Sequence, residues 1–263
     1  MAGDERAKRI HFNSEYHRNA LRRTGKKGIG KINLPFKDTI NPILKSETDC
    51  ILFDSQFDDK CYRTIKSEEE YEKLENFVAK YREIVFLRDN LELSLALSAN
   101  YASDNVNRTE IGELEYQAKH NDDEDSKDEL IEVCNNWLNQ LPYLNQADYI
   151  CAMPSSNNNS LPQRIVEGIS GFDFENISEH VFWTSKTRSV KDAATIDEKL
   201  AILDESGLTI SGDLDLGGKT VLLFDDLYMS GISMQYVAMK LKEAGAQRVF
   251  GLSIVKSRSN TAR

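Results

Sequence analysis

Apolar residues are sparse and irregular over the first 45 positions. They recur at helical steps through the middle of the chain and bunch into short runs after residue 148. Within 1–45 a Gly-rich breaker, Gly25-Lys26-Lys27-Gly28-Ile29-Gly30, falls in a weak pattern, and the segment reads as an arm with one short helix. Cys50-Ile51-Leu52-Phe53 suggests a strand. From 67 to 84, Tyr71, Leu74, Phe77, Val78 and Tyr81 recur every three or four residues, behind Ser67 and three glutamates. That is a helix with an N-cap and an acidic first turn. Residues 87–99, 109–119 and 127–140 are expected to form three more helices. The run Asp122-Asp123-Glu124-Asp125 lacks the central glycine and spacing of an EF-hand loop, so it reads as a solvated turn.

After Asp148 short β-rich runs alternate with helical ones. Strands are expected at 148–153, 180–184, 220–224 and 248–255, and helices near 162–170 and at 233–244. Continuously apolar strands alternating with helices predict a parallel sheet covered on both faces. The helix at 233–244 carries Met234, Val237, Ala238 and Leu241 on one stripe, and Gly245 follows where a left-handed cap belongs. No internal repeat of about 20–50 residues is evident. The expected organisation is a basic arm (1–45), a mostly helical region (46–107) and an α/β domain (108–263).

Composition narrows the classes. At 263 residues, 40% hydrophobic and 29% charged, the chain is long and apolar enough to bury a core, which excludes wholesale disorder. No apolar run approaches the ~18–20 residues that span a bilayer, and the N-terminus lacks a secretory pattern. Four cysteines (Cys50, Cys61, Cys134, Cys151) form no CxxC pair, which argues against a zinc ribbon or disulfide scaffold. A reduced, cytoplasmic protein is expected. Its net charge of −10 is uneven: residues 1–31 hold nine Lys/Arg against three acids, on an acidic remainder. Such an arm either contacts nucleic acid or phosphate, or docks as a solvated extension on its own body. With so little apolar periodicity it is expected to be dispensable for folding.

The chemistry concentrates in Val221-Leu-Leu-Phe224-Asp225-Asp226-Leu227-Tyr228-Met229-Ser230-Gly231-Ile232-Ser233. An apolar strand ends in two carboxylates, then comes a loop bearing hydroxyls and a glycine, then a helix. Loop amides and the helix N-terminus make an anion site, and Gly231 permits close approach of a phosphate. Carboxylates at the C-terminal edge of a parallel strand suit sugar hydroxyls or a metal-bridged group. Phosphate beside diol describes a ribose 5-phosphate site.

This segment resembles the phosphoribosyl-diphosphate signature of type I phosphoribosyltransferases, a strand, two acids and a loop reading roughly Thr-Thr-Gly-x-Thr. Gly218-Lys219-Thr220 and Lys242-Glu-Ala-Gly245-Ala246 match the family's flanking habit. Tyr116-Gln-Ala-Lys119-His120 and Asp148-Tyr-Ile-Cys-Ala-Met-Pro154 are similar to elements of its competence-factor (ComF-like) subgroup. The resemblance covers roughly 108–258 and implies a Rossmann-like parallel sheet with flanking helices. It further implies Asp225 and Asp226 at the ribose hydroxyls and at Mg²⁺, and a phosphate cradle of Leu227, Tyr228, Met229, Ser230, Gly231, Ile232 and Ser233. Pro154, Ser155 and Ser156 fall in the implied diphosphate loop, while Lys186 and Arg188 fall in a flexible loop that would supply positive charge and close over ligand.

The sequence departs from the family at Met229, where a first threonine is usual, and at Ser155–Asn159, where the subgroup usually has arginines. A P-loop reading of Gly218-Lys219-Thr220 fails, because position 213 is aspartate and the motif precedes its strand. The four histidines have no common spacing, and Trp183 reads as core. Three functions stay open: phosphoribosyl transfer to a base or amine, a non-catalytic sensor of phosphoribosyl diphosphate or a nucleotide, and a nucleic-acid-linked defence or accessory module. A homo-oligomer is compatible with each.

Overall fold

The computed structural model describes residues 9–24, 28–156, 159–185, 188–190 and 193–258. Its centre is a seven-stranded mixed sheet in the order β1-β6-β7-β13-β12-β8-β9. The five strands from β7 to β9 run parallel: β7 (Leu93–Ala99), β13 (Arg248–Lys256), β12 (Thr220–Tyr228), β8 (Tyr149–Ala152) and β9 (Glu175–Asn176). At the other edge β6 (Val85–Leu87) and β1 (Arg9–His11) pair antiparallel. Alternate residues of the central strands feed two cores. Leu93, Leu95, Leu222, Phe224 and Leu252 face one, and Ala96, Cys151, Val221, Leu223 and Val249 face the other. Both faces are therefore covered, which is why these strands are mostly apolar on both sides.

On the first face lie α3 (Glu110–His120), α4 (Glu124–Gln140) and α5 (Leu161–Gly168); α7 (Ile232–Glu243) covers the second. A hood of β10 (Val181–Trp183), α6 (Ile196–Ser206) and β11 (Leu208–Ile210) packs against α7. A separate antiparallel sheet, β2-β3-β5-β4, comprises β2 (Leu21–Arg23), β3 (Gly30–Leu34), β5 (Cys61–Ile65) and β4 (Phe53–Asp54). Helices α1 (Ile40–Thr48) and α2 (Glu68–Lys80) complete this part, and Ser67 caps α2 by accepting from the Glu70 amide. Among the described residues, no helix is long and apolar enough to cross a membrane.

Five expectations change. Residues 87–99 are not a helix but mainly β7, because Leu91, Leu93, Leu95 and Leu97 recur every second residue, the period of a strand. The expected arm is not an arm: Ile10, Phe12 and Ala20 are buried, and β1 closes one edge of the main sheet. A boundary at 108 does not divide two units, since β7 from before it pairs with β13 from after it, and the region before it is as much strand as helix. The acidic run at 122–125 starts α4, where Asp123 accepts from the Ser126 amide. The strand suggested at Cys50–Phe53 is confined to Phe53–Asp54.

The turn after β1 buries His17, whose Nδ1 lies 3.4 Å from the His11 amide and 3.2 Å from Ser14 Oγ. Burial, with the positive neighbours His11 and Arg9, lowers its pKa to about 4. An unfolded histidine titrates near 6.5, so between those values the unfolded chain binds more protons. Folding is unaffected by this ring above about pH 6.5 and increasingly opposed as pH falls toward about 4. At about 1.4 kcal/mol per pH unit, acidification from pH 7.5 to 4.5 should cost roughly 2–3 kcal/mol through His17. Urea unfolding of wild type and His17→Gln across that range checks this; parallel pH dependences would contradict it.

Candidate functional site

The site forms where β12 outruns β8. The pairing with β8 ends at Phe224, opposite Ala152, while pairing with β13 continues through Tyr228. The carboxylates therefore lie within a strand rather than after it, and their β8 side is left open. The chain of β8 turns away there through Met153 and Pro154. A cleft of about 360 Å³ fills the opening. Asp225 and Asp226 line it with Met153, Pro154, Ser155, the whole run Leu227–Ser233, and Trp183, Val190 and Lys199 from the hood side.

Gly231 is the hinge between loop and helix. Its φ of +73° lies in the left-handed region, and it is the N-cap of α7 without a side-chain cap. The first-turn amides of α7 thus face the cleft with no side-chain acceptor of their own, and the helix dipole adds positive potential. A Cβ on Gly231 would sit 2.0 Å from the hydroxyl oxygen of Tyr228. Tyr228 is held beneath the turn because its hydroxyl donates to Asp89 Oδ2 at 2.9 Å. Burial pushes the Asp89 carboxyl above its usual range, although Tyr228 and the Leu91 amide donate to it.

The two carboxylates are unlike. Burial, and then the charge of Asp226, pushes Asp225 well above the usual carboxylate range. One of its oxygens accepts from the Asp226 amide at 2.9 Å. Asp226 turns to α3, where Lys119 Nζ lies 2.6 Å from its Oδ2 and 3.4 Å from Glu115 Oε1. Desolvation, the largest single influence, acts to lower the Lys119 pKa, but the charge and hydrogen bond of Asp226 together with Glu115 and Asp225 outweigh it, and the ammonium is held above its normal value. Glu115 is 3% exposed and raised by burial despite Lys119. One cation thus bridges two acids. A second hollow of about 650 Å³ shares Lys119, Ser155, Ser160 and Asp226 and adds Lys127 and Arg164.

Of the residues expected at the site, Asp225, Asp226, Leu227–Ser233, Pro154 and Ser155 come together. Ser156 and Arg188 do not line the cleft; Arg188 acts on Glu198 of α6 instead. Lys186 lies outside the described residues, as do Thr187, Lys191 and Asp192 of the expected lid. Trp183, read as core, lines the cleft: its ring stacks on Tyr236 at 6.1 Å, and its Nε1 donates to the Pro154 carbonyl at 2.8 Å. Lys199, Glu115 and the Asp89–Tyr228 pair carry no signal in the local sequence, because each joins the site only through tertiary packing.

No protein-family model matches the chain, and no curated protein matches it in sequence. Among solved structures it is similar to a hypoxanthine phosphoribosyltransferase from Staphylococcus aureus, with 11% identity and a TM-score of 0.32. That likeness covers 49% of this chain and 64% of the other, so the chain spans less than two thirds of that protein's length. It is also similar to a hypoxanthine-guanine-xanthine phosphoribosyltransferase, at 10% identity over 53% of this chain and 68% of the other, with a TM-score of 0.33.

Proposed function

We propose that the cleft binds the ribose 5-phosphate part of phosphoribosyl diphosphate and that the protein transfers the phosphoribosyl group to a base or amine. The observation that carries this reading is the placement of an uncapped helix N-terminus and a carboxylate pair on one cleft. The amides following Met229 receive the 5-phosphate, with the Ser230 and Ser233 hydroxyls beside them. Asp226 and Asp225 face the 2′- and 3′-hydroxyls. As the bond from C1 to the diphosphate oxygen breaks, positive charge grows on the ribose, and a nearby carboxylate stabilises it. The acceptor nitrogen's lone pair forms the new bond to C1 and its proton leaves to solvent or base. No covalent nucleophile from the protein is required.

The competence-factor resemblance supports the same site, since the helix end it singled out is α3 and its Lys119 reaches Asp226. Lys119 at the edge of the cleft offers charge for the diphosphate that Ser155 and Ser156 do not supply, whereas Lys127 and Arg164 in the adjoining hollow are already paired with Asp122, Glu124 and Asp128. Among the described residues, no group of three or more His, Cys, Asp or Glu side chains could hold a metal alone. Two adjacent carboxylates instead fit a Mg²⁺ that arrives with ligand oxygens, and Asp225 and Asp226 would hold it. When bound, that ion neutralises the leaving diphosphate. Trp183 offers an aromatic wall for a planar acceptor on the hood side.

The direct test is diphosphate release from phosphoribosyl diphosphate and Mg²⁺ with each common nucleobase in turn. Release with one acceptor, cut at least about 100-fold in Asp226→Asn, is expected. Binding with no release under any acceptor would favour the second reading, a sensor. Met229 in the cradle and the uncharged Ser155–Ser156 segment point that way. Absence of binding would contradict both.

A further inference from the structure

The four-stranded sheet has one covered face and one open face. Ile32, Leu34, Cys61 and Ile65 point into the core, where α1 and α2 contribute Leu44, Tyr71 and Leu74. On that side Arg23 pairs with Glu68, and Arg63 with Glu70. The alternate residues form the other face. Register places Arg22 beside Lys31 and Lys31 beside Thr64 in one row, and Asn33 beside Tyr62 and Tyr62 beside Phe53 in the next. Phe53 and Tyr62 are 50% and 41% exposed, and neither ring packs on another aromatic among the described ring pairs.

This face is chemically unlike the rest of the molecule. On a chain of net charge −10 its two rows carry two cations and no carboxylate. Neither Arg22 nor Lys31 forms an ion pair among the described residues, whereas Arg23 and Arg63 on the covered side both do. Large aromatic rings left open on a flat sheet are costly to expose and suit flat partners. The rows lie about 7 Å apart along the strands, so one ligand can meet rings and cations together. Carboxylates Asp58 and Asp59 lie in the connection between β4 and β5, next to the aromatic row. They repel phosphate at that end and leave Arg22 and Lys31 to receive it.

We propose that this open face binds single-stranded nucleic acid, with bases stacked on Phe53 and Tyr62 and backbone phosphates at Arg22 and Lys31. Stacking plus a short run of cations is how sequence-tolerant single-strand surfaces work, and a duplex offers no unstacked base to the rings. The surface is independent of the ribose phosphate cleft. It also gives the N-terminal basic residues a role as part of a folded sheet.

The test is fluorescence anisotropy of the full chain with labelled single strands of about twelve nucleotides, as DNA and as RNA, over a salt series. Tyr62→Ala and Phe53→Ala should each weaken binding by at least about fivefold, and Tyr62→Phe should retain it. Arg22→Gln and Lys31→Gln should each reduce the slope of log affinity against log salt by about 0.7. Thermal melts check that the variants fold, which is expected because all four side chains lie on the open face. Preference for RNA over DNA, or the reverse, supports the proposal equally and names the source. Three results would overturn it: no binding at low salt, equal binding of duplex, or affinity unchanged in both aromatic variants. A concentration-dependent dimer that Tyr62→Ala dissolves, without strand binding, would also overturn it and assign the face to self-association.

Discussion

Gly231→Val is expected to abolish binding of ribose 5-phosphate and to lower stability by at least about 2 kcal/mol. A non-glycine residue in the left-handed region costs roughly 1–2 kcal/mol, and Gly231 sits there at φ +73°. The new Cβ would also collide with the Tyr228 ring, 2.0 Å from its oxygen and 2.3 Å from Cζ. Tyr228 is 6% exposed and tied to Asp89, so it cannot swing clear without leaving a buried carboxyl short of a donor. Either the turn opens and its amides lose their aim, or the tyrosine is expelled. Ser230→Ala is the control, since it removes one hydroxyl and leaves the backbone alone; it should weaken binding by less than about tenfold. Calorimetric titration with melts of both variants decides. Near-wild-type affinity in Gly231→Val would contradict a backbone cradle at this turn.

Removing residues 1–24 is expected to prevent cooperative folding, contrary to what their composition suggests. The deletion strips β1 from β6 and takes Ile10, Phe12 and Ala20 out of the core. Phe12 sets its ring edgewise against Phe77 at 6.3 Å and Phe86 at 6.2 Å, so it joins α2 to the main sheet. Phe12→Ala alone should cost about 3–5 kcal/mol, a large part of a typical domain's stability. A truncated chain that melts within about 5 °C of the full one would contradict the account.

These two cases mark where the sequence was legible. Strands β12 and β13 were readable because burial on both faces gives them short continuous apolar runs, Val221–Phe224 in one and Val249–Leu252 in the other. The strand, turn and helix that line the cleft were readable because Asp225 to Ser233 are consecutive and follow in that order. Strands of three residues, such as Arg9–His11, have too few positions to set up a period, so Ile10 and Phe12 passed as isolated hydrophobics in a charged segment. The stretch from 87 to 99 had the opposite difficulty. Its leucines alternate with glutamate, serine and alanine, and four leucines in seven residues also fit a helical count unless the period is measured.

The site's electrostatics were the least legible part. Asp89 and Tyr228 are 139 residues apart, and nothing local marks either as the other's partner. Lys119 could be placed on a helix end, but its bond to Asp226 depends on α3 packing beside β13 and β7. The position of Trp183 depends on its bond to the Pro154 carbonyl, which a sequence pattern does not encode.

The central claim is that the turn at Met229–Ser233 and the carboxylates of β12 recognise ribose 5-phosphate through its phosphate. Thermal unfolding of the full chain with ribose 5-phosphate, and separately with ribose, tests it most directly. A ligand at about 100 times its dissociation constant stabilises the fold by about 2.7 kcal/mol. The account predicts a clear rise in melting temperature with the phosphorylated sugar, none with ribose, and loss of the rise in Gly231→Val. Equal responses to both sugars, or no response to millimolar ribose 5-phosphate, would contradict it.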